Sequence, residues 1–282
     1  MAELISGKLV SSWKREQIKA QVEELREKHG AVPGLAVILV GSDPASSVYV
    51  RNKHRACAEV GIRSIEILMP EETTEAELLE KIRELNDDPA VNGILVQLPL
   101  PGHISEEKVI NSISAAKDVD AFHPENVGRI VTGGYKFLPC TPAGIITLLD
   151  YYKIDVTGKR CVVVGRSNIV GKPMALLLLE RNGTVTVCHS RTKNLTDITR
   201  EADILVVAIG RPNFLGKDAI KPGAVVIDVG INRLPDGSLA GDVDFASAEQ
   251  VASYITPVPG GVGPMTITTL LQNTVNAFLE TV

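Results

Sequence analysis

The feature that most constrains this chain is an alternation. Short, β-branched apolar runs recur between longer stretches with helical spacing, the pattern of parallel βαβ units. In the first half, strands are predicted at Leu35–Val40, Ser64–Met69 and Gly93–Leu98, with helices over Pro44–Val60 and Thr74–Asn86. In the second half, strands are predicted at Arg160–Val164, Thr184–Cys188, Ile204–Ile209 and Ala224–Val229, and helices over Ala143–Tyr151, Pro173–Arg181 and Pro264–Leu279. The chain therefore reads as α/β, in two successive α/β halves. The segment from Asp120 to Thr141 is rich in Gly, Pro and Asn and shows little periodicity, so a linker or active-site loop is expected there.

The strand over Arg160–Val164 runs directly into Gly165-Arg166-Ser167-Asn168-Ile169-Val170-Gly171-Lys172-Pro173. A glycine at a strand end permits a tight turn, and the next helix then aims its first N–H groups at a pyrophosphate. The match to a dinucleotide fingerprint is imperfect, because Ser167 replaces the second glycine and Val170 the third. The next strand selects the cofactor. NAD binding usually requires an acid at its end, to hold the ribose 2′-hydroxyl. Here that strand ends in His189-Ser190-Arg191-Thr192. Ser190 and Arg191, with Arg166, can donate to a 2′-phosphate instead, so NADP is expected.

A second anomaly lies in the first half. Asp43 and Pro44 suit the start of the helix over Pro44–Val60, and Gly61 its end. Tyr49, Ala56, Cys57 and Val60 form an apolar stripe, and Lys53 falls inside it. A lysine on a buried face must snorkel out, find a partner or lose its charge. If its pKa falls from about 10.4 toward neutrality, it can shuttle protons. Tyr49, one turn earlier, offers a flat face for an aromatic ligand. Gln97 stands at the end of the strand Gly93–Leu98, where α/β sites lie, and can hold Lys53 without fixing its charge. The run Lys117-Asp118-Val119-Asp120 places two acids at the start of the linker, and either can accept a paired hydrogen bond from an amino-pyrimidine edge.

A net charge of -5 argues against nucleic acid as the main partner. No run approaches the roughly 20 apolar residues that span a bilayer. The opening MAELISGKLV resembles neither a secretory nor a transit signal. The four cysteines are scattered and the five histidines lack ligand spacing, so structural thiols, a cytoplasmic location and no metal site are expected.

The strings YVRNK (Tyr49–Lys53), VQLPLP (Val96–Pro101), KDVDAFH (Lys117–His123), PCTPAG (Pro139–Gly144), VVVGRSNIVGKP (Val162–Pro173) and TPVPGGVGPMT (Thr256–Thr266) closely resemble the methylenetetrahydrofolate dehydrogenase/cyclohydrolase family. The resemblance implies NADP-dependent oxidation of 5,10-methylenetetrahydrofolate, then hydrolysis of the methenyl product to 10-formyltetrahydrofolate. It implies a folate-binding catalytic domain over 1–138 completed by the C-terminal helix 264–282, a Rossmann-like NADP-binding domain over 139–263, and an active-site cleft between them. In that frame Lys53 transfers protons, Gln97 positions and tunes it, Tyr49 stacks on the folate and Asp120 holds the pterin. Val96, Leu98, Pro259, Gly260, Gly261 and Pro264 border the folate, and Gly165, Arg166, Ser167, Ser190, Arg191 and Ile231 contact the cofactor. The resemblance also implies a homodimer. Ala121 departs from it, standing where a glycine commonly follows the second acid. The alternatives are a dehydrogenase without useful hydrolysis, or an inactive NADP- or folate-binding module.

Overall fold

The computed structural model describes residues 1–282, with the side chains of all but Pro44 and Ala45. In chain order the elements are β1 (Glu3–Leu4), α1 (Gly7–His29), β2 (Gly34–Val40), α2 (Pro44–Val60), β3 (Arg63–Met69), α3 (Glu75–Asp87), β4 (Gly93–Val96), α4 (Glu106–Ser112), α5 (Pro124–Thr132) and α6 (Cys140–Tyr151). They continue as β5 (Arg160–Val164), α7 (Gly171–Glu180), β6 (Thr184–Cys188), α8 (Leu195–Thr199), β7 (Ile204–Val207), β8 (Val225–Asp228), β9 (Asn232–Arg233), β10 (Leu239–Ala240), α9 (Phe245–Ala248), β11 (Tyr254–Ile255) and α10 (Val262–Leu279). The chain divides into two compact units, Trp13–Cys140 with Ile267–Val282, and Met1–Ser12 with Thr141–Thr266; the division falls inside α1 and inside α10.

The first unit is built on a three-stranded parallel sheet in the order β3-β2-β4. Its middle strand is buried along its whole length. Leu35, Val37 and Leu39 join one core, with Val50, Cys57 and Val60 of α2 and Leu270, Leu271 and Val275 of α10. Ala36, Ile38 and Val40 face the opposite core, with Leu78, Ile82 and Leu85 of α3. Covering both faces explains the unbroken apolar run, because side chains alternate between faces along a strand. Asp43 caps α2 by accepting from the Ser46 N–H at 2.7 Å, and Gly61 ends it at φ 83°. Thr74 and Glu77 form a capping box on α3.

The second unit carries a six-stranded sheet in the order β1-β11-β8-β7-β5-β6, parallel throughout. From β5 the chain adds β6 on one side and then crosses to add β7 on the other. That reversal opens a crevice at the carboxyl ends of β5 and β7, where doubly wound sheets bind ligands. β1 joins this sheet by pairing with β11, which is why the first residues of the chain belong to this unit.

Three sequence expectations need correction. The segment after Asp120 is not a bare loop, because α5 forms there behind an N-cap at His123, whose Nδ1 accepts from the Glu125 N–H at 3.2 Å. The long helix α1 has no counterpart among the predicted elements, although Ile18, Val22 and Leu25 give it a buried stripe. The buried stripe of α2 starts at Val50 rather than Tyr49, which is 39% exposed, because Val50 stands three residues before Lys53. Among the described residues, no helix is long and apolar enough to cross a membrane.

Candidate active site

In the first unit α2 turns Lys53 into the core, leaving it 8% exposed. Its Nζ donates to Gln97 Oε1 at 3.0 Å. Gln97 lies just past the end of β4, and its Nε2 donates to the Leu98 carbonyl at 2.7 Å, so the amide is held with its oxygen toward the lysine. Burial lowers the Lys53 pKa from its ordinary value, and the negative charge of Asp120 is the largest influence opposing that shift. Lys53, Gln97 and Asp120 thus form one cluster, with Val96, just before Gln97, buried and Leu98, just after it, half-buried. Tyr49 stands one turn before Lys53 at the exposed margin of α2.

The two acids of the 117–123 segment have separate duties. Asp118 is buried, and its Oδ2 accepts from the His123 N–H at 2.8 Å and from Asn126 Nδ2 at 2.9 Å. Burial pushes its pKa up to about 6, against those two donors. Lys117 does not pair with it but donates to the carbonyls of Leu85 and Asp88 at the end of α3. The loop is pinned to β4 through the Ile94 N–H, which donates to the Lys117 carbonyl at 2.8 Å, and by Val119, packed where a Cβ on Gly93 would come within 2.8 Å. Asp118 anchors the loop, leaving Asp120 half-buried beside Lys53. Ala121, the departure from the family pattern, is buried at φ 59°, a conformation that favours glycine.

Two residues near this cluster are not singled out in the sequence. Asn273 of α10 donates to the carbonyls of Val119 and Leu138, at 2.8 and 2.9 Å. Cys140 lies buried beside it, its Sγ donating to the Val119 carbonyl at 3.4 Å. The buried face of α10 also holds Thr268 and Thr274, so an asparagine there does not stand out in the sequence.

In the second unit the turn after β5 is built from backbone. Gly165 sits at φ 132°, and a Cβ on it would overlap the Ala208 carbonyl. Gly171, at the first turn of α7, lies so close to the Gly165 carbonyl that it too excludes a side chain. Gly171, rather than position 170, therefore performs the close helix–strand packing of the third fingerprint glycine. Ser167 Oγ accepts from the N–H groups of Val170 and Gly171, both at 3.2 Å, which ties the turn to the start of α7. Arg166 and Ser167 are exposed here, and Ser190 and Arg191 are exposed at the end of the neighbouring strand β6. Ile231, 47% exposed, follows β8. Pro259, Gly260, Gly261 and Pro264 belong to this same unit. In their loop Gly260 adopts φ 108°, its carbonyl accepts from the Lys8 N–H at 3.1 Å, and Gly7 leaves no room for a Cβ against the Gly261 carbonyl.

Two buried acids in this unit are absent from the sequence reading. Asp242 accepts from the N–H groups of Ile209, Gly210 and Arg211, and Asp228 from those of Gly230, Asp242 and Val243. Among the described residues no group of three His, Cys, Asp or Glu side chains is arranged to hold a metal.

Comparison with known proteins places both halves of the chain in one family. The catalytic-domain model of tetrahydrofolate dehydrogenase/cyclohydrolase matches residues 5–120, and that family's NAD(P)-binding-domain model matches 139–282. The bifunctional protein FolD of Acetivibrio thermocellus is 62% identical over 276 residues, covering 98% of this chain and 96% of the relative. Among solved structures, the bifunctional FolD enzyme of Campylobacter jejuni superposes with a TM-score of 0.97 at 50% identity, with 100% of each chain covered. The Trypanosoma brucei dehydrogenase-cyclohydrolase, complexed with NADP cofactor and inhibitor, superposes at 0.95 and 39% identity, covering 99% of this chain and 98% of that one. The chain belongs to the tetrahydrofolate dehydrogenase/cyclohydrolase family.

Proposed function

We propose that this protein catalyses two consecutive reactions on one folate: NADP-dependent oxidation of 5,10-methylenetetrahydrofolate to the methenyl form, and hydrolysis of that product to 10-formyltetrahydrofolate. The single observation that supports the proton chemistry best is the buried Lys53 Nζ held 3.0 Å from the neutral amide oxygen of Gln97.

The residues of the second unit fit NADP. The Gly165 turn keeps space that a Cβ would fill, and the end of β6 presents Ser190 and Arg191 where NAD enzymes usually carry an acid. Arg166, Ser190 and Arg191 hold the 2′-phosphate, while Gly165, Ser167 and Ile231 line the rest of the cofactor. When bound, the nicotinamide supplies the hydride acceptor for the methylene carbon.

The methenyl product of that step is a cation. Two unit charges about 4 Å apart repel by about 4 kcal/mol at an effective dielectric constant near 20, close to a thousandfold in equilibrium. Burial of Lys53 works against its charged form and so reduces that repulsion. Neutral Lys53 takes a proton from the water that attacks the methenyl carbon. It then returns a proton to the ring nitrogen as the carbon–nitrogen bond breaks, and the hydroxyl proton is released to solvent. Gln97 holds the amine in place without fixing its charge. Asp120 accepts from the pterin edge, and Tyr49 stacks on the folate. Val96, Leu98, Pro259, Gly260, Gly261 and Pro264 line it. On the family resemblance the protein is expected to act as a cytoplasmic homodimer.

The test follows methenyltetrahydrofolate hydrolysis without cofactor and, separately, NADPH formation from methylenetetrahydrofolate. Lys53→Ala should lower the hydrolysis rate by about a thousandfold, the scale of a positioned acid–base group, while the folate still binds. Hydrolysis that survives the substitution would refute the proton-transfer role.

A further inference from the structure

Asp228 and Asp242 have no part in the two reactions, yet they tie together loops that do. Asp242 Oδ2 accepts from the N–H groups of Ile209 at 2.6 Å and Gly210 at 3.0 Å, and its Oδ1 from the Arg211 N–H at 2.8 Å and Asn232 Nδ2 at 2.9 Å. Residues 208–211 form the loop after β7, and its first member, Ala208, lies against Gly165; Asn232 directly follows Ile231. Asp228 Oδ1 accepts from the N–H groups of Gly230 and Asp242, and its Oδ2 from that of Val243, all at 2.9 Å. The two acids are thus in direct contact through the Asp242 N–H.

The connection continues to the other loop. The Asp228 N–H donates to Thr256 Oγ1 at 2.7 Å, and that hydroxyl donates to the Asp228 carbonyl at 3.3 Å. Thr256 opens the segment leading to Pro259, and its Cβ lies where a methyl on Gly261 would come within 2.7 Å. Every donor to the two carboxylates is an N–H group. An amide in place of either carboxylate would turn an NH2 toward one of those donors, so asparagine cannot substitute.

We propose that Asp242 and Asp228, linked through Thr256, are positioning residues that set the loop beside the dinucleotide turn and the Pro259–Gly261 loop on one common frame. Asp242 governs the cofactor side of that frame, Thr256 the folate side, and Asp228 joins them. This rests on the NADP and folate reading above.

Three variants, checked for folding by circular dichroism, separate these duties. Asp242→Asn should weaken NADP binding at least tenfold by titration, while the KM of cofactor-free methenyltetrahydrofolate hydrolysis moves less than twofold. Thr256→Val should do the reverse, raising that KM at least threefold with NADP affinity within twofold; Thr256→Ser, which keeps the hydroxyl, should restore it. Asp228→Asn should move both. If either acid variant fails to fold, Asn232→Ala, which removes one of the four donors to Asp242, should still weaken NADP binding about threefold. A purely structural role would reduce only the folded, active fraction, leaving KM and NADP affinity unchanged, and that result overturns the inference. An unaltered protein that neither binds NADP nor hydrolyses methenyltetrahydrofolate would instead remove the underlying reading.

Discussion

Lys53 and Gly165 mark two different ways of building a site. Around Lys53 the chemistry resides in side chains: a buried amine, an amide that holds it and a carboxylate that opposes its loss of charge. Around Gly165 it resides in backbone, where two glycines admit a close approach and the polar side chains at the surface only surround it. On the proposed roles, the difference follows from the ligands' demands. A proton must be taken up and returned by a group that can titrate, whereas a pyrophosphate needs only fixed N–H dipoles and room to approach them.

The largest effect that would break this contrast is on the backbone side. Gly165→Ala puts a methyl into the Ala208 carbonyl at a φ that alanine resists, and the fold should lose about 3 kcal/mol, read from urea denaturation. A loss under about 1 kcal/mol would mean that the turn relaxes easily and that its glycine is incidental. On the side-chain side, Gln97→Glu places a negative charge where a neutral oxygen now meets Lys53. A carboxylate favours the ammonium, so the base form should appear only at higher pH. The alkaline rise of the hydrolysis rate should move upward by about one pH unit, equivalent to about 1.4 kcal/mol. A profile that stays in place would separate Gln97 from the tuning of Lys53.

How much of this was legible in the sequence divides along the same line. Lys53 stood out because a charge on an apolar stripe violates the helical pattern, and Gln97 because it ends a buried strand. The parallel sheets were legible from runs such as Gly34–Val40, whose burial on both faces leaves no polar alternation. Asp228 and Asp242 were not, because nearly all their partners are main-chain N–H groups, which every residue but proline has, and the one side-chain donor is Asn232. Nor was α5, where Gly128 within the helix and Gly133-Gly134 after it make nine helical residues read as loop. Gly171 was hidden by an extra residue in the turn, which shifted the fingerprint spacing.

The smallest expected effect sharpens the comparison at Ala121. Replacing it with glycine relieves a left-handed backbone, worth about 1 kcal/mol, but removes a buried methyl worth about 0.8 kcal/mol. The two should nearly cancel, so Ala121→Gly should shift stability by less than about 1 kcal/mol and leave both KM values within twofold. A larger change in KM would show that the methyl helps aim Asp120.

The four cysteines have a practical consequence. Cys57 and Cys140 lie in the unit that holds Lys53, Cys161 and Cys188 in the unit that holds Gly165, and all four are buried and unbridged. Burial pushes the Cys57 thiol up to about 12 and that of Cys161 to about 11, and raises the other two as well. Because the thiolate is the reactive species, an alkylating reagent at neutral pH finds nothing to attack until a unit opens. Each unit thus contains a pair of internal clocks, and the labelling rate of each pair times the opening of the unit that encloses it.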